Sequence, residues 1–255
     1  MSLARTALRL QVIEALNSHP VIDGQCQGRI YDSRIGNFDD KEPVPVITVS
    51  TEDLSGEGWN PQNGGAPFKD SCNLVLDIGM AQFVEDADGG DFYFQPGTDS
   101  ELEAALDLIE QCAEWILTTG MPHPRARQKT HAGRLLMSAV TRRVSKRDSQ
   151  RFSPDDGGER LAIHMLTFRV ELKGEDVETY AVPPGPFGAL PDPLRTVAQS
   201  LTEGSASYLT CLKIAQDLAR AITPATTPPS QPVVVPDSAP GTLPTELSID
   251  FPQVP

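Results

Sequence analysis

Side chains able to do chemistry are thinly spread along this chain. The four cysteines, Cys26, Cys72, Cys112 and Cys211, lie far apart with no Cys-x-x-Cys pair. That pattern predicts separate buried thiols in a reducing compartment, not a disulfide framework or a zinc site. Of the four histidines, His19, His123, His131 and His164, only His164 falls on the apolar face of a predicted strand. It is expected as a hydrogen-bonded core residue, whereas His123 and His131 stand eight apart in a basic stretch and read as solvated. Two acidic clusters, "EDADGGD" (85–91) and "SPDDGGE" (153–159), are rich in oxygen ligands. Neither has the alternating ligands and twelfth-position glutamate of a calcium loop, so both read as turns. The chain contains no GxxxxGK[ST], no GxGxxG after a strand, no GxSxG and no HExxH. Nothing here argues for an enzyme, a cofactor or a metal.

Charge carries more information. "RRVSKRDSQRF" (142–152) packs five basic side chains into a chain of net charge −14. Residues 125–151 hold nine of the 21 Lys and Arg and one of the 35 acids, Asp148, which makes the segment +8 and leaves −22 elsewhere. So acidic a balance excludes a general nucleic-acid coat, because phosphate binding needs a cationic surface. One plain account is pairing of the basic segment with an acidic helix of the same chain. Exposed pairs stabilise by only about 0–1 kcal/mol each, however, so stability is a weak reason to segregate charge. Complementary patches on one chain suit head-to-tail association of identical subunits. Arg142, Arg143, Lys146 and Arg147 are the candidate contact residues.

The elements that must position these residues follow from periodicity. Leu8, Val12 and Leu16, with Ala4 and Ala15, form a helical stripe that Ser18–Pro20 should stop. "GRIYD" (28–32) and "VPVITVST" (44–51) read as strands, with Pro45 suited to an edge or a strand start. Glycine, asparagine and proline make 53–70 a loop by composition. Cys72, Leu74, Leu76, Ile78 and Met80 alternate as one apolar strand face. After a turn or hairpin, Ser100 and Glu103 offer a capping box for a helix whose apolar face runs from Leu102 to Ile116 and which Gly120 and Pro122 end. "HAGRLLMSAV" (131–140) reads as a short helix and "LAIHMLTFRVELKG" (161–174) as an interior strand.

The order helix–strand–strand–strand–helix–strand predicts an α+β domain over residues 1–175, a mostly antiparallel sheet with helices packed on one face. A C-terminal helical and proline-rich extension should follow. It divides into a proline-rich spacer at 176–193, one or two accessory helices at 194–222 started by Asp192 and Pro193, and a tail at 223–255 with nine prolines and no Lys or Arg. That tail is expected to be extended or disordered. The N-terminus lacks the apolar run of a signal peptide, and no window reaches the roughly 18 apolar residues of a membrane span.

Taken in order, six stretches resemble the tail terminator (lambda U-like) family of long-tailed bacteriophages. They are "LARTALRLQVIEAL", "RIYDSR", "PVPVITVSTEDLSGE", "CNLVLDIGMAQFVE", "GTDSELEAALDLIEQCAEWIL" and "RRVSKRDSQRFSPDDGGERLAIHMLTFRVEL". The resemblance covers about residues 1–175. It implies a homohexameric ring that docks on the finished tail tube, stops its polymerisation and presents the surface for head joining. No catalysis and no cofactor are implied. The expected partners are further copies of itself, the tail tube protein and the head–tail connector; DNA is met only as it passes through the lumen. The implied location is the head-proximal end of the virion tail, after assembly in the host cytoplasm. By the same resemblance Arg142, Arg143 and Arg147 fall where family members carry basic residues at subunit or tube contacts. The extension beyond residue 175 has no counterpart in that pattern. Two other readings stand beside it: a head–tail connector or neck protein, and a nucleic-acid-binding module using residues 125–151.

Overall fold

A computed structural model describes residues 3–33, 45–58, 68–80, 84–85, 91–92, 99–152, 162–174 and 182–222. The predicted loops at 86–90 and 153–159 and the tail at 223–255 lie outside them.

Alternation in β3 (Phe68–Met80) organises the molecule. Its register with β2 (Val46–Gly58) and β7 (Ala162–Leu172) lines up rows of core side chains: Leu74 between Thr51 and Phe168, Leu76 between Val49 and Leu166, Ile78 between Ile47 and His164. Both pairings are antiparallel. The short strand β1 (Ile30–Asp32) adds to β2 in parallel, and β6 (Thr141–Phe152) closes the other edge against β7, giving the order β1-β2-β3-β7-β6. A second, two-stranded sheet pairs β4 (Val84–Glu85) with β5 (Asp91–Phe92), which makes the expected hairpin.

Helices cover the apolar rows. They are α1 (Ala4–Asn17), α2 (Pro20–Cys26), α3 (Asp99–Thr119), α4 (His131–Leu135), which runs on into one π-helical turn (Leu136–Val140), α5 (Leu194–Ser200) and α6 (Ala206–Ile222). Leu8, Val12 and Leu16 of α1 and Leu106, Ile109 and Ile116 of α3 are fully buried in the same cluster as Leu74, Leu76 and Phe168. Each such side chain contributes about 1.5–3 kcal/mol by leaving water. The chain is thus α+β with a mostly antiparallel sheet, as its pattern predicts.

Two local expectations are corrected, and one strand forms where the sequence pattern assigned no element. Residues 53–58 and 68–70 are strand, not loop: past a bulge between Glu52 and Ser55, β2 and β3 go on pairing as a two-stranded arm to Gly58↔Phe68. The arm forms despite its glycines because each strand supplies the other's hydrogen-bond partners, which composition alone does not register. Helix α3 begins at Asp99, so Ser100 lies inside it, and Glu103 reaches Arg151 instead of closing a capping box. The basic segment 142–152 is a strand although it lacks apolar alternation.

The proline-rich spacer and accessory helices contribute directly to the core. Phe187, Leu190, Leu194, Val197, Ala198, Leu201, Cys211 and Ala215 are buried in the common cluster. The break between α5 and α6 falls at residues 201–205, around Gly204. Asp192 caps α5, its carboxylate accepting from the Thr196 N–H at 3.2 Å and the Thr196 hydroxyl at 2.6 Å.

Candidate functional site

Two bulges decide where the basic strand points its side chains. β6 pairs Thr141 with Leu172, Val144 with Val170 and Arg147 with Phe168, then Ser149 with Leu166 and Arg151 with His164. Arg142 and Ser145 are the extra residues, so the positions facing the helices are 141, 144, 147, 149 and 151. At the far end of that row the helices offer carboxylates. Arg147 pairs with Glu114 and Arg151 with Glu103, both of α3. Ser149 donates to Glu110 Oε2 at 2.9 Å, and His164 Nδ1 lies 3.2 Å from the same oxygen. His164 is buried, the hydrogen-bonded core histidine its position predicts.

On the opposite face Arg143 pairs with Glu171, and Lys146 Nζ sits 2.7 Å from Asp148 Oδ2. Three of the four candidate contact residues therefore have carboxylate partners within the chain, while keeping 66%, 68% and 44% of their side chains exposed in the order Arg143, Lys146, Arg147. Arg142 is exposed and makes no ion pair among the described residues. It lines an open groove of about 510 Å³ at the root of the β2–β3 arm with Glu57, Lys69, Asp70, Arg143 and Glu171, where cations and carboxylates balance.

Next along this face, Arg169 stitches the arm to the sheet. Its guanidinium donates to the Asp53 carbonyl at 3.2 Å, to Asn73 Oδ1 at 3.3 Å, to Ser55 Oγ at 2.6 Å and to Ser71 Oγ at 2.7 Å. Asp53 has a left-handed φ of 46° at the bulge, a conformation uncommon for a residue with a side chain.

The positive charge that is not matched lies elsewhere. Between Gly120 and Thr130 the chain turns from α3 into α4, and Arg125, Arg127 and Lys129, with Arg134 on α4, are exposed. None of these four side chains has a hydrogen-bond or ion-pair partner among the described residues, and the sequence has no acid between Glu114 and Asp148. The sequence pattern included them in the basic segment but singled out β6; only the pairing on α3 separates the two groups.

This loop is rigidly built. Gly120 ends α3 at φ 74° and lies back to back with Gly133. A Cβ on Gly133 would come 2.8 Å from Gly120 Cα, and one on Gly120 would come 2.7 Å from the Gly133 carbonyl. The Thr130 N–H donates to the Gly120 carbonyl at 3.1 Å, and the Thr130 hydroxyl caps α4 by accepting from Gly133 N–H at 2.9 Å. Ser18 at the end of α1 donates to Thr130 Oγ1 at 3.1 Å. His123, expected to be solvated, is exposed but packs edge-on against Trp115 with ring centroids 4.8 Å apart.

His19 completes the anchorage. Its Nδ1 accepts from the N–H groups of Val21 and Ile22 at 3.2 and 3.4 Å, capping α2, and its Nε2–H donates to the Pro122 carbonyl at 2.7 Å. Both ring nitrogens are thereby used in the neutral form. Burial lowers its pKa from the ordinary histidine range, against the raising effect of the Pro122 bond. The expectation that Ser18–Pro20 ends the first helix holds, but the same residues start the second, a role the dispersed histidines gave no hint of.

All four thiols are free and buried. Burial pushes Cys26 up to about 12 and Cys72 and Cys211 to about 11, and raises Cys112. No group of three or more His, Cys, Asp and Glu is placed to hold a metal ion among the described residues. No described helix is long and apolar enough to cross a membrane.

No protein-family model and no curated protein matches the chain.

Proposed function

We propose that this chain is a structural protein of a phage tail, a subunit that forms a ring, with six copies as the resemblance implies, on the end of the tail tube. There it stops tube polymerisation and offers the surface to which the head joins. The resemblance of residues 1–175 to tail terminators supplies the class. One observation bears the physical side: a strongly acidic chain keeps a compact set of exposed, unmatched cations, Arg125, Arg127, Lys129 and Arg134. Self-pairing on α3 accounts for Arg147 and Arg151 but not for these. Charge held unpaired on a rigid support favours an encounter with an oppositely charged surface and fixes its orientation. The role proposed is one of assembly, with neither cofactor nor catalytic group.

The test is electron microscopy of tail lengths in lysates where the gene carries an early stop codon. Overlong tubes of variable length are expected. Tails of normal length lacking heads would reassign the protein to the head–tail connection, and wild-type particles would remove it from the tail altogether.

A further inference from the structure

We propose that the Gly120–Thr130 loop, with Arg134 beside it, is the docking surface for the acidic β2–β3 arm of a second copy of this chain. The inference deepens the ring reading and rests on it only in requiring self-association.

The arm has the opposite charge. Glu52 at its root, Asp53 in the bulge and Glu57 beyond it are exposed, and none makes an ion pair with a cation among the described residues; with Asp70 they outnumber Lys69, the one Lys or Arg among the arm's described residues. Asp53 instead accepts from the Asn73 amide at 3.1 Å. The arm projects past the sheet, because β7 pairs with β3 only as far as Ser71 while β2 and β3 continue to Gly58↔Phe68. At its tip Phe68 is 46% exposed, an apolar side chain available for burial at a contact.

Loop and arm cannot neutralise one another within one molecule. Helix α1 touches the root of the arm at one end, where Arg5 donates to the Thr51 hydroxyl at 3.2 Å, and the loop at the other, where Ser18 meets Thr130. The thirteen-residue advance from Arg5 to Ser18 spans about 20 Å at the helical rise. That is about twice the screening length at physiological salt. Two unlike patches, well separated on one subunit, make a heterologous contact, and such a contact repeated generates a ring or a filament. The Gly120–Gly133 contact, the Thr130 cap and the His19–Pro122 bond fix the loop in advance, so little ordering entropy is lost on docking. A phosphate backbone would also be attracted to the loop, but it leaves the acidic arm unexplained.

The experiment uses full-length protein and sedimentation velocity over a range of concentration and salt. The loop variant carries Arg127→Glu and Lys129→Glu; the arm variant carries Glu52→Lys and Glu57→Lys. All four positions are exposed, and circular dichroism checks that both variants fold; the milder Arg127→Gln with Lys129→Gln serves if the loop reversal does not. Wild type is expected to self-associate, more weakly as salt rises. Each variant alone should associate about a hundredfold more weakly, as facing like charges require. An equimolar mixture should recover assembly, because each reversed patch then meets its complement. A loop variant that assembles like wild type would overturn the contact while leaving a ring by another surface. A wild type that stays monomeric throughout would overturn it too, and tube length would then judge the tail reading separately. Salt-sensitive binding of wild type to duplex DNA, lost in the loop variant with assembly unchanged, would overturn it in favour of a nucleic-acid site.

Discussion

His19 and Glu110 each hold several groups in place, and their loss should be felt beyond their size. The His19 ring is neutral in the fold because two N–H donors occupy Nδ1 while Nε2–H serves Pro122. Since its folded pKa is lowered, the unfolded chain binds the extra proton first. Its contribution to stability is therefore complete above the ordinary histidine pKa of roughly 6.5 and declines as the pH falls below it. Urea denaturation at a series of pH values from 8 to 5 should show this loss, and a His19→Asn protein, which keeps a capping oxygen, should show less of it. Equal pH dependence in both proteins would point to another titrating group. For Glu110, replacement by Ala removes the partner of both Ser149 and buried His164. An unpartnered buried polar group costs about 1–3 kcal/mol, so E110A should be less stable by that order in equilibrium denaturation, well beyond the fraction of a kcal/mol of an exposed pair.

Among the elements, the α3–α4 turn and the β6 edge depend on close local fits. Gly133→Ala puts a methyl group against the Gly120 backbone, and backbone cannot move aside as a side chain can. The variant should lose about 1–3 kcal/mol and release His123 from Trp115. In a Trp59→Phe background, where Trp115 is the sole indole, its fluorescence should change even before unfolding; an unchanged spectrum and midpoint would show that the turn tolerates the methyl. How legible these elements were depended on where their partners lie. β3 and α3 announced themselves because both face apolar layers, which print a period of two or of three to four on the sequence. β6 did not, because two bulges place its inward residues at 141, 144, 147, 149 and 151, and the last three meet carboxylates instead of aliphatic groups. The arm was hidden for a related reason: its strands stabilise each other through backbone pairing and Arg169, while its side chains look like a loop. Of the candidate site, the basic segment was plain in the composition. Which of its cations are already matched required the third dimension. The same bulges give β6 a second quality, since a kinked edge rich in Arg and Lys resists open-ended strand pairing with other chains.

At the scale of the whole molecule, the stretch from Phe187 to Ala215 is packed into the same core as the sheet. Leu194 and Val197 of α5 are fully buried in the cluster that holds α1 and the sheet. Truncating Leu194 to Ala should cost about 2–5 kcal/mol, and far-ultraviolet and tryptophan signals should move together in a single transition. Two separated transitions would mean that α5 and α6 fold as an independent unit. Among the described residues the arm, the groove at its root and the cationic loop face outward, which is where the proposed assembly contacts lie.

The buried thiols have a use apart from assembly. One lies at the end of α2, one on the central strand, one on α3 and one on α6, so each main part of the molecule carries its own reporter. With pKa values pushed to about 11 or 12 for three of them, thiolate is scarce in the folded state and a maleimide or disulfide reagent reacts chiefly with molecules that have opened. The relative labelling rates of Cys211 and Cys72 in otherwise native protein would read how often the C-terminal helix lifts away while the sheet stays closed. Loss of that difference on mixing with a binding partner would show which part of the surface the partner holds down.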